Sequence, residues 1–306
     1  MNTKPFLTLL KREIWEHRSL FWVPLILSGL IVISAFVGSS MVGSVKINLD
    51  QGESEFFARM DGNALAQSQL FAVWMGSLMI PVMLVTLIVL FFYLLDSLYA
   101  ERKDRSILFW KSMPVSDAST VLSKLATALV STPIWVWLLS IVTGLLVFAA
   151  VAIRVSGTPM AALGEFHIGT WIVLQFVLLQ NLLLAALWYA PVAGWLLLVS
   201  AWARRSPFLW AVLPPAVIAI VEDILFDTNY TGRLITYRLS GFNEDGFALK
   251  FADGEQTERI VDSIRVAYDS MSMASLLAEP HLYTGLVAAA AFVYAAIRLR
   301  RWRDDA

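Results

Sequence analysis

The stretch LFAVWMGSLMIPVMLVTLIVLFFYLL, residues 70–95, contains no charged residue and decides the fold class. An α-helix needs about 20 predominantly apolar residues to cross a hydrocarbon core of roughly 30 Å. In lipid, the backbone amides of such a segment must be hydrogen-bonded within the protein, and a helix does this with its own residues. The stretch therefore predicts a transmembrane helix.

Comparable apolar runs recur along the chain of 306 residues, which is 58% hydrophobic and has a mean hydropathy of +0.68. The short alternating segments of a membrane β-barrel are not seen. The whole chain, 1–306, is therefore predicted to be one all-α polytopic membrane domain. Its six predicted spans are residues 20–42, 70–95, 121–153, 168–203, 207–226 and 282–297.

The basic residues indicate the orientation of the spans. Lys and Arg concentrate in the cytoplasmic connections of membrane proteins. Here they cluster before the first span, after the second and fourth, and after the last, whereas the opposite short connections hold only Lys46, Arg59 and Arg154. Both termini are therefore predicted to be cytoplasmic, in a multi-pass protein of the cell membrane, with a bacterial inner membrane favoured.

Residues 1–19 predict an amphipathic helix in the cytoplasmic interface. Phe6, Leu9, Leu10 and Ile14 fall near helical spacing, with charged residues between them. The alternative is a plain cytoplasmic extension of the first span.

Residues 227–280 predict a small extracytoplasmic cap between spans five and six. Residues 232–242 and 247–256 have the composition of short strands separated by the turn-forming NEDG, and 257–279 have the pattern of an amphipathic helix. The alternative is a mobile loop.

Sequence motifs exclude several activities for the chain itself. It contains no GxxxxGK[ST] phosphate loop, no HExxH, no GxSxG and no calcium-binding loop. The absence of Cys excludes disulfides and thiolate metal sites, and its three His are far apart in sequence. We therefore expect no catalytic residue, metal or cofactor in this chain, and no nucleic-acid partner.

Polar and sulfur-containing residues inside the spans are candidates for a pathway or gate. The methionines form a stripe at i, i+4 and i+8 on span two, for which ordinary packing is the favoured interpretation. The amides of span four favour hydrogen bonds between helices over a substrate path. The acidic residues Glu222 and Asp223, near the end of span five, allow two interpretations. They either belong to an external gate where the helix is broken at Pro214 and Pro215, or lie in water beyond the end of the span. These candidates are Met75, Met79, Met83, Gln175, Gln180, Asn181, Glu222 and Asp223.

The segment 99–118, between spans two and three, is the most specific functional signal. Its residues 101–105 are all charged, and an apolar group that ends in a Pro turn follows them. A short amphipathic helix here would present a charged rim and an apolar knob to a cytoplasmic partner. The residues assigned to this surface are Glu101, Arg102, Arg105, Leu108, Phe109, Trp110 and Pro114.

At this segment the sequence resembles the permease subunits of ATP-binding-cassette (ABC) exporters of the second permease class, which have the type V exporter fold. Their first cytoplasmic loop reads like E-R-E-x-G-T, followed by a Leu-rich helix, a Pro turn and a Lys at the next span. Lys103, Asp104 and Arg105 depart from that pattern. The matching positions are Glu101, Arg102, Ser106, Ile107, Leu108, Pro114, Ser116 and Lys124.

The resemblance implies that a cytoplasmic ABC ATPase subunit, which would bind ATP and Mg²⁺, docks on this coupling loop. It also implies that two copies of the chain, or the chain and a related permease, form the pathway. Few ionisable residues lie in the spans, which favours a hydrophobic or amphipathic solute: a lipid, a drug-like molecule or a peptide. Glu101 and Arg102 are expected to be exposed. Reversing either charge should therefore uncouple ATP hydrolysis from transport more than it lowers the stability of the protein.

Two other classes of function remain open at this stage. An ion-coupled secondary transporter normally places a buried charged residue near the bilayer midplane, and Asp96 is the nearest candidate in span two. A membrane scaffold or maturation subunit would instead bind a partner through the outer cap.

Overall fold

The computed structural model describes residues 3–42, 71, 74–112, 115–156, 166–240 and 277–302. Within these ranges the regular structure is helical and contains no strand. A π-helical turn, Thr127–Ser131, joins α6 to α7. The α-helices are α1 Thr3–Glu16, α2 Ser19–Val42, α3 Ile80–Asp96, α4 Tyr99–Lys103, α5 Ser106–Ser112, α6 Asp117–Ala126, α7 Thr132–Val155, α8 Ile168–Trp202, α9 Pro207–Phe226, α10 Tyr230–Ser240 and α11 Pro280–Trp302.

Among the residues that the structure describes, six helical stretches are long and apolar enough to cross a membrane, as the sequence predicts. The second and third are longer than predicted, because α4 follows α3 after a two-residue turn and because α6, the π turn and α7 run on without a break. The chain thus has the helices of a multi-pass membrane protein. The stretches are Ser19–Val37, Trp74–Lys103, Asp117–Arg154, Ile168–Trp202, Pro207–Phe226 and Pro280–Trp302.

The helices form two compact units, each with its own core. The first comprises Met1–Leu20, Ile88–Pro133 and Asn181–Ala306. Its apolar core contains Trp188 packed with Leu184 and Leu282.

The second unit comprises Phe21–Leu87 and Ile134–Gln180. In its core, Met79 packs with Val82 and Val136. The first core includes aromatic side chains, whereas the second consists of methionine and aliphatic side chains.

The strand predicted for residues 232–242 is wrong, because residues 230–240 form helix α10. The carboxylate of Glu222 accepts hydrogen bonds from the backbone N–H groups of Tyr230 (2.7 Å) and Thr231 (2.8 Å), which are among the unpaired donors at the start of that helix. Tyr237 then packs against Trp188 with ring centroids 5.4 Å apart. Tertiary contacts have therefore overridden the β-branched and aromatic composition. The second predicted strand and most of the predicted helix at 257–279 lie outside the described residues.

The predicted break in span five is also wrong. Helix α9 is continuous from Pro207 to Phe226, although Pro214 and Pro215 lie inside it, and α8 likewise contains Pro191. A membrane helix tolerates the lost amide donors where neighbouring groups compensate. The idea of an external gate at a broken helix therefore loses its structural basis.

Candidate functional site

A network of buried charges in the first unit ties together helix ends that are far apart in sequence. Its members come from α1, α3, α4, α6 and α11. We call it the charged cluster; it consists of Arg12, Glu13, Tyr93, Glu101, Asp117, Lys124 and Arg300.

One half of the charged cluster is centred on Glu13 of α1. Lys124 Nζ lies 2.9 Å from Glu13 Oε1 and 3.2 Å from Oε2, and both side chains are completely buried. The hydroxyl of Tyr93 donates to Glu13 Oε2 at 3.0 Å. A carboxylate, an ammonium and a phenol therefore satisfy one another where no solvent reaches.

The other half is centred on Glu101 of α4. Oε1 of this carboxylate lies 3.1 Å from Lys124 Nζ and 3.2 Å from Arg12 Nη2, while Oε2 pairs with Arg300 Nη1. Arg300 also donates from Nε to Asp117 Oδ1 at 3.1 Å. Three cations thus converge on one carboxylate that is only 3% exposed.

The charged cluster fixes geometry more than it adds stability. Removing two charges from water costs several kcal/mol per ion, roughly what their attraction returns, so an intact buried pair adds little net free energy. Removing one partner is different, because it leaves an uncompensated charge inside the protein, which typically costs about 3–5 kcal/mol. The relative placement of α1, α4, α6 and α11 is therefore tightly specified.

Arg102, the neighbour of Glu101, closes the end of α8. Its Nη2 donates to the carbonyl oxygens of Ser200 and Ala203, both at 2.7 Å. Ser200 lies in the last turn of α8 and Ala203 directly follows it; intrahelical donors are missing there, and a cation is favoured by the helix dipole. The hydroxyl of Ser200 in turn accepts from the backbone N–H groups of Leu98 and Tyr99, each at 3.0 Å. Helices α4 and α8 are thus joined at their ends.

Helix α5, which directly follows α4 in the chain, carries an exposed aromatic side chain where α4 has buried charges. Arg105, with φ of 58°, turns the backbone between α4 and α5, and its own side chain is exposed. Ile107 is buried, whereas Phe109 is 56% exposed. Trp110 packs edge-to-face on Phe109, and the Arg12 guanidinium lies 3.5 Å from the centroid of the Trp110 ring. An aromatic surface is therefore held in place by a member of the charged cluster.

The expected exposure of Glu101 and Arg102 is wrong, since each is 3% exposed. The exposed positions of the predicted surface are Arg105 and Phe109, with Trp110 half-buried. Leu108 lies in α5, but its side chain and the whole of Pro114 are outside the described part of the chain. The premise that a charge reversal at Glu101 or Arg102 would spare stability therefore fails.

The methionines of span two pack in the second unit. Met79 is buried in its core and Met83 packs against that core. Met75 is also buried, and its thioether lies beside Gly144. A Cβ atom added at that glycine would be 3.8 Å from the Met75 sulfur, which is ordinary van der Waals contact. These contacts agree with the packing interpretation.

The amides of span four differ among themselves. Gln175 accepts a hydrogen bond from Ser140 Oγ at 2.9 Å through its Oε1, which joins α7 to α8. Its backbone carbonyl accepts from Trp137 Nε1 at 3.0 Å. Gln180 and Asn181 are half-buried. For Gln175, the interpretation as a bond between helices therefore agrees with the structure.

The two acidic residues of span five, Glu222 and Asp223, have different environments. Glu222 caps α10 and also accepts from Thr228 Oγ1 at 3.2 Å, whereas Asp223 is exposed. Glu222 therefore has a structural role in joining α9 to α10.

Sequence reasoning missed the role of Glu13 and treated Lys124 only as a motif position. The available signal was that Glu13 falls four residues after Leu9, on the apolar face of α1. An acid at such a position must find a buried cation. Which cation it finds depends on tertiary packing, because Lys124 is 111 residues away.

We compared the chain with family models, curated proteins and solved structures. None of these comparisons yields a match. The function is therefore inferred from the residues and their geometry alone.

Proposed function

We propose that the chain is the membrane-spanning permease subunit of an ABC exporter, driven by a separate cytoplasmic ATPase subunit. The observation that carries this proposal is the pairing of α5, with its exposed Phe109, and α4, with its buried anchors Glu101 and Arg102. A partner that pushes on α5 would move α4. Through Glu101 and Arg102 that movement would reach α1, α6, α8 and α11.

This arrangement gives the predicted residues of the coupling loop different roles. Phe109 and Trp110 would contact the ATPase, because an aromatic side chain that is partly exposed on a rigid helix suits the centre of an interface. Glu101 and Arg102 would transmit force without touching the partner. Arg105 would lie at the rim, where charges affect orientation more than affinity.

Further properties of the sequence support the proposal. Six membrane-length helices can line a pathway, and the chain has no phosphate loop of its own, so ATP and Mg²⁺ would be bound by the partner. Both termini and the α4–α5 segment would be cytoplasmic, in a bacterial inner membrane. A second copy of the chain or a related permease would complete the pathway for a hydrophobic or amphipathic solute.

Purification from native membranes in mild detergent tests the proposal. We expect a stoichiometric companion that contains a phosphate loop and hydrolyses ATP. Phe109→Ala should weaken its association by roughly thirtyfold, the loss of about 2 kcal/mol typical of an interface hot spot. Phe226→Ala is the matched control, because Phe226 is also exposed but lies at the far end of α9. Equal retention of the ATPase by the two variants would contradict docking at α5.

The two alternative functions predict other outcomes. Transport in proteoliposomes that is driven by an ion gradient without any ATPase would identify a secondary transporter. A companion without a phosphate loop, retained by Phe109→Ala and lost when residues 241–276 are replaced by a short linker, would identify a scaffold that binds through its outer segment.

A further inference from the structure

The first unit contains a cavity of about 480 Å³ that the proposed docking function does not use. Its walls come from α3, from the first residue of α4, from the junction of α1 and α2, and from the start of α9. The volume falls within the range of about 300–1,000 Å³ found for sites that bind small organic molecules.

The lining of this cavity changes character along α3. Ile88, Phe92 and Asp96 are spaced by four residues, so they lie on one face of the helix, and all three line the cavity. With a rise of about 1.5 Å per residue, the carboxylate end and the Ile88 end are separated by roughly 12 Å. The cavity is therefore apolar at one end and acidic at the other.

Aromatic rings flank the acidic end. Phe92 and Phe208 are stacked, with centroids 6.4 Å apart and an interplanar angle of 21°. Tyr99, the first residue of α4, lines the same cavity three residues beyond Asp96. Faces of aromatic rings attract cations through their quadrupoles, so this end combines a carboxylate with several π surfaces.

The described side chains that line the cavity include one carboxylate and, besides His17, no basic group. Burial lowers the pKa of His17, and the nearby Lys124 lowers it further, while Glu13, Glu16 and Asp96 act in the opposite direction. His17 is therefore neutral at pH 7. Of the described residues that line the cavity, Asp96 is then the one with a formal charge.

We propose that this cavity binds an amphipathic monovalent organic cation, with its apolar body against Ile88 and Phe92 and its cationic centre at Asp96. The complementarity of charge and the gradient along α3 select this class over anions and neutral solutes. The site goes beyond the proposed permease function, because binding requires neither an ATPase nor transport.

Equilibrium binding to the purified full-length chain tests the site, with tetraphenylphosphonium as the probe and tetraphenylborate as an anion of the same shape. We expect the cation to bind saturably and the anion not to bind. Asp96→Asn should weaken binding of the cation by about tenfold, as loss of a charge-assisted contact does. Asp104→Asn is the matched control, because Asp104 is exposed and does not line the cavity; it should leave binding unchanged.

A second variant keeps the carboxylate and removes one aromatic face. Phe208→Leu should weaken binding of tetraphenylphosphonium by about threefold, the loss expected when one cation–π contact is removed. Each variant is first shown to keep the wild-type unfolding temperature and elution volume.

Three results would overturn the proposal. They are unchanged binding in both Asp96→Asn and Phe208→Leu, equal binding of tetraphenylborate, and loss of cation binding in nanodiscs of phosphatidylethanolamine but not of phosphatidylcholine. The last would mean that the primary ammonium group of phosphatidylethanolamine occupies the cavity. None of these results bears on whether an ATPase docks at α5, so the two proposals can fail independently.

Discussion

Helices α4 and α5 are neighbours in the chain and opposites in environment. Two of the three charged residues of α4, Glu101 and Arg102, are buried with 3% exposure each, whereas Phe109 of the more apolar α5 is 56% exposed. Hydropathy alone would assign them the other way round. The difference teaches that the exposure of a charge at the end of a span depends on which distant residues can pair with it.

The reason lies in the partners of each helix. Glu101 meets Lys124, Arg12 and Arg300, and Arg102 meets the last carbonyls of α8, so the cost of burying each charge is offset. Phe109 has its neighbour Trp110 on one side, and more than half of its surface is exposed. Under the proposed function, this exposed aromatic side chain is the part of α5 that contacts the ATPase.

The largest expected effect of a substitution is that of Glu101→Gln. The neutral amide would leave Lys124, Arg12 and Arg300 around a site without its negative charge, so we expect the free energy of unfolding to fall by about 3–5 kcal/mol. Denaturant unfolding of the purified chain in detergent measures this.

Asp104→Asn provides the control for that measurement, because Asp104 is exposed just beyond α4. Its free energy of unfolding should stay within about 0.5 kcal/mol of the wild type. If Glu101→Gln were equally harmless, the charged cluster would not hold these helix ends together.

The sequence predicted the membrane fold better than the candidate site, for a physical reason. Span existence follows from local composition, so all six spans were predicted and the fifth, Pro207–Phe226, to the residue. The pairing of Glu13 with Lys124 depends on contacts between segments 111 residues apart, which periodicity cannot reveal. The helix α10 was missed because its N-terminus is stabilised by Glu222, a residue of the preceding helix.

A smaller effect is expected from Arg102→Lys. The charge is kept, but one ammonium group on a flexible stem is less suited than the planar guanidinium to bonding the carbonyls of Ser200 and Ala203 together. We expect a loss of about 1.5–3 kcal/mol in the free energy of unfolding, the range for hydrogen bonds to charged groups. The same substitution at an exposed site, Arg105→Lys, should change little; equal losses in both variants would show that the end of α8 does not depend on Arg102.

The smallest effect concerns the edge of the charged cluster, where His17 packs edge-to-face on Tyr93 with centroids 4.7 Å apart. In the folded protein, burial and, to a smaller extent, the nearby Lys124 lower the pKa of His17 below its ordinary value of 6.5. Between the lowered pKa and 6.5 the unfolded chain binds more protons than the folded one, so stability increases with pH across that window and falls as the pH decreases through it. The unfolding temperature measured from about pH 8 to pH 5 should therefore decrease more steeply for the wild type than for His17→Gln, since the glutamine does not titrate. Parallel curves would mean that His17 has the same pKa in the folded and unfolded states. The imidazole would then not be affected by its burial beside the ion pair of Glu13 and Lys124.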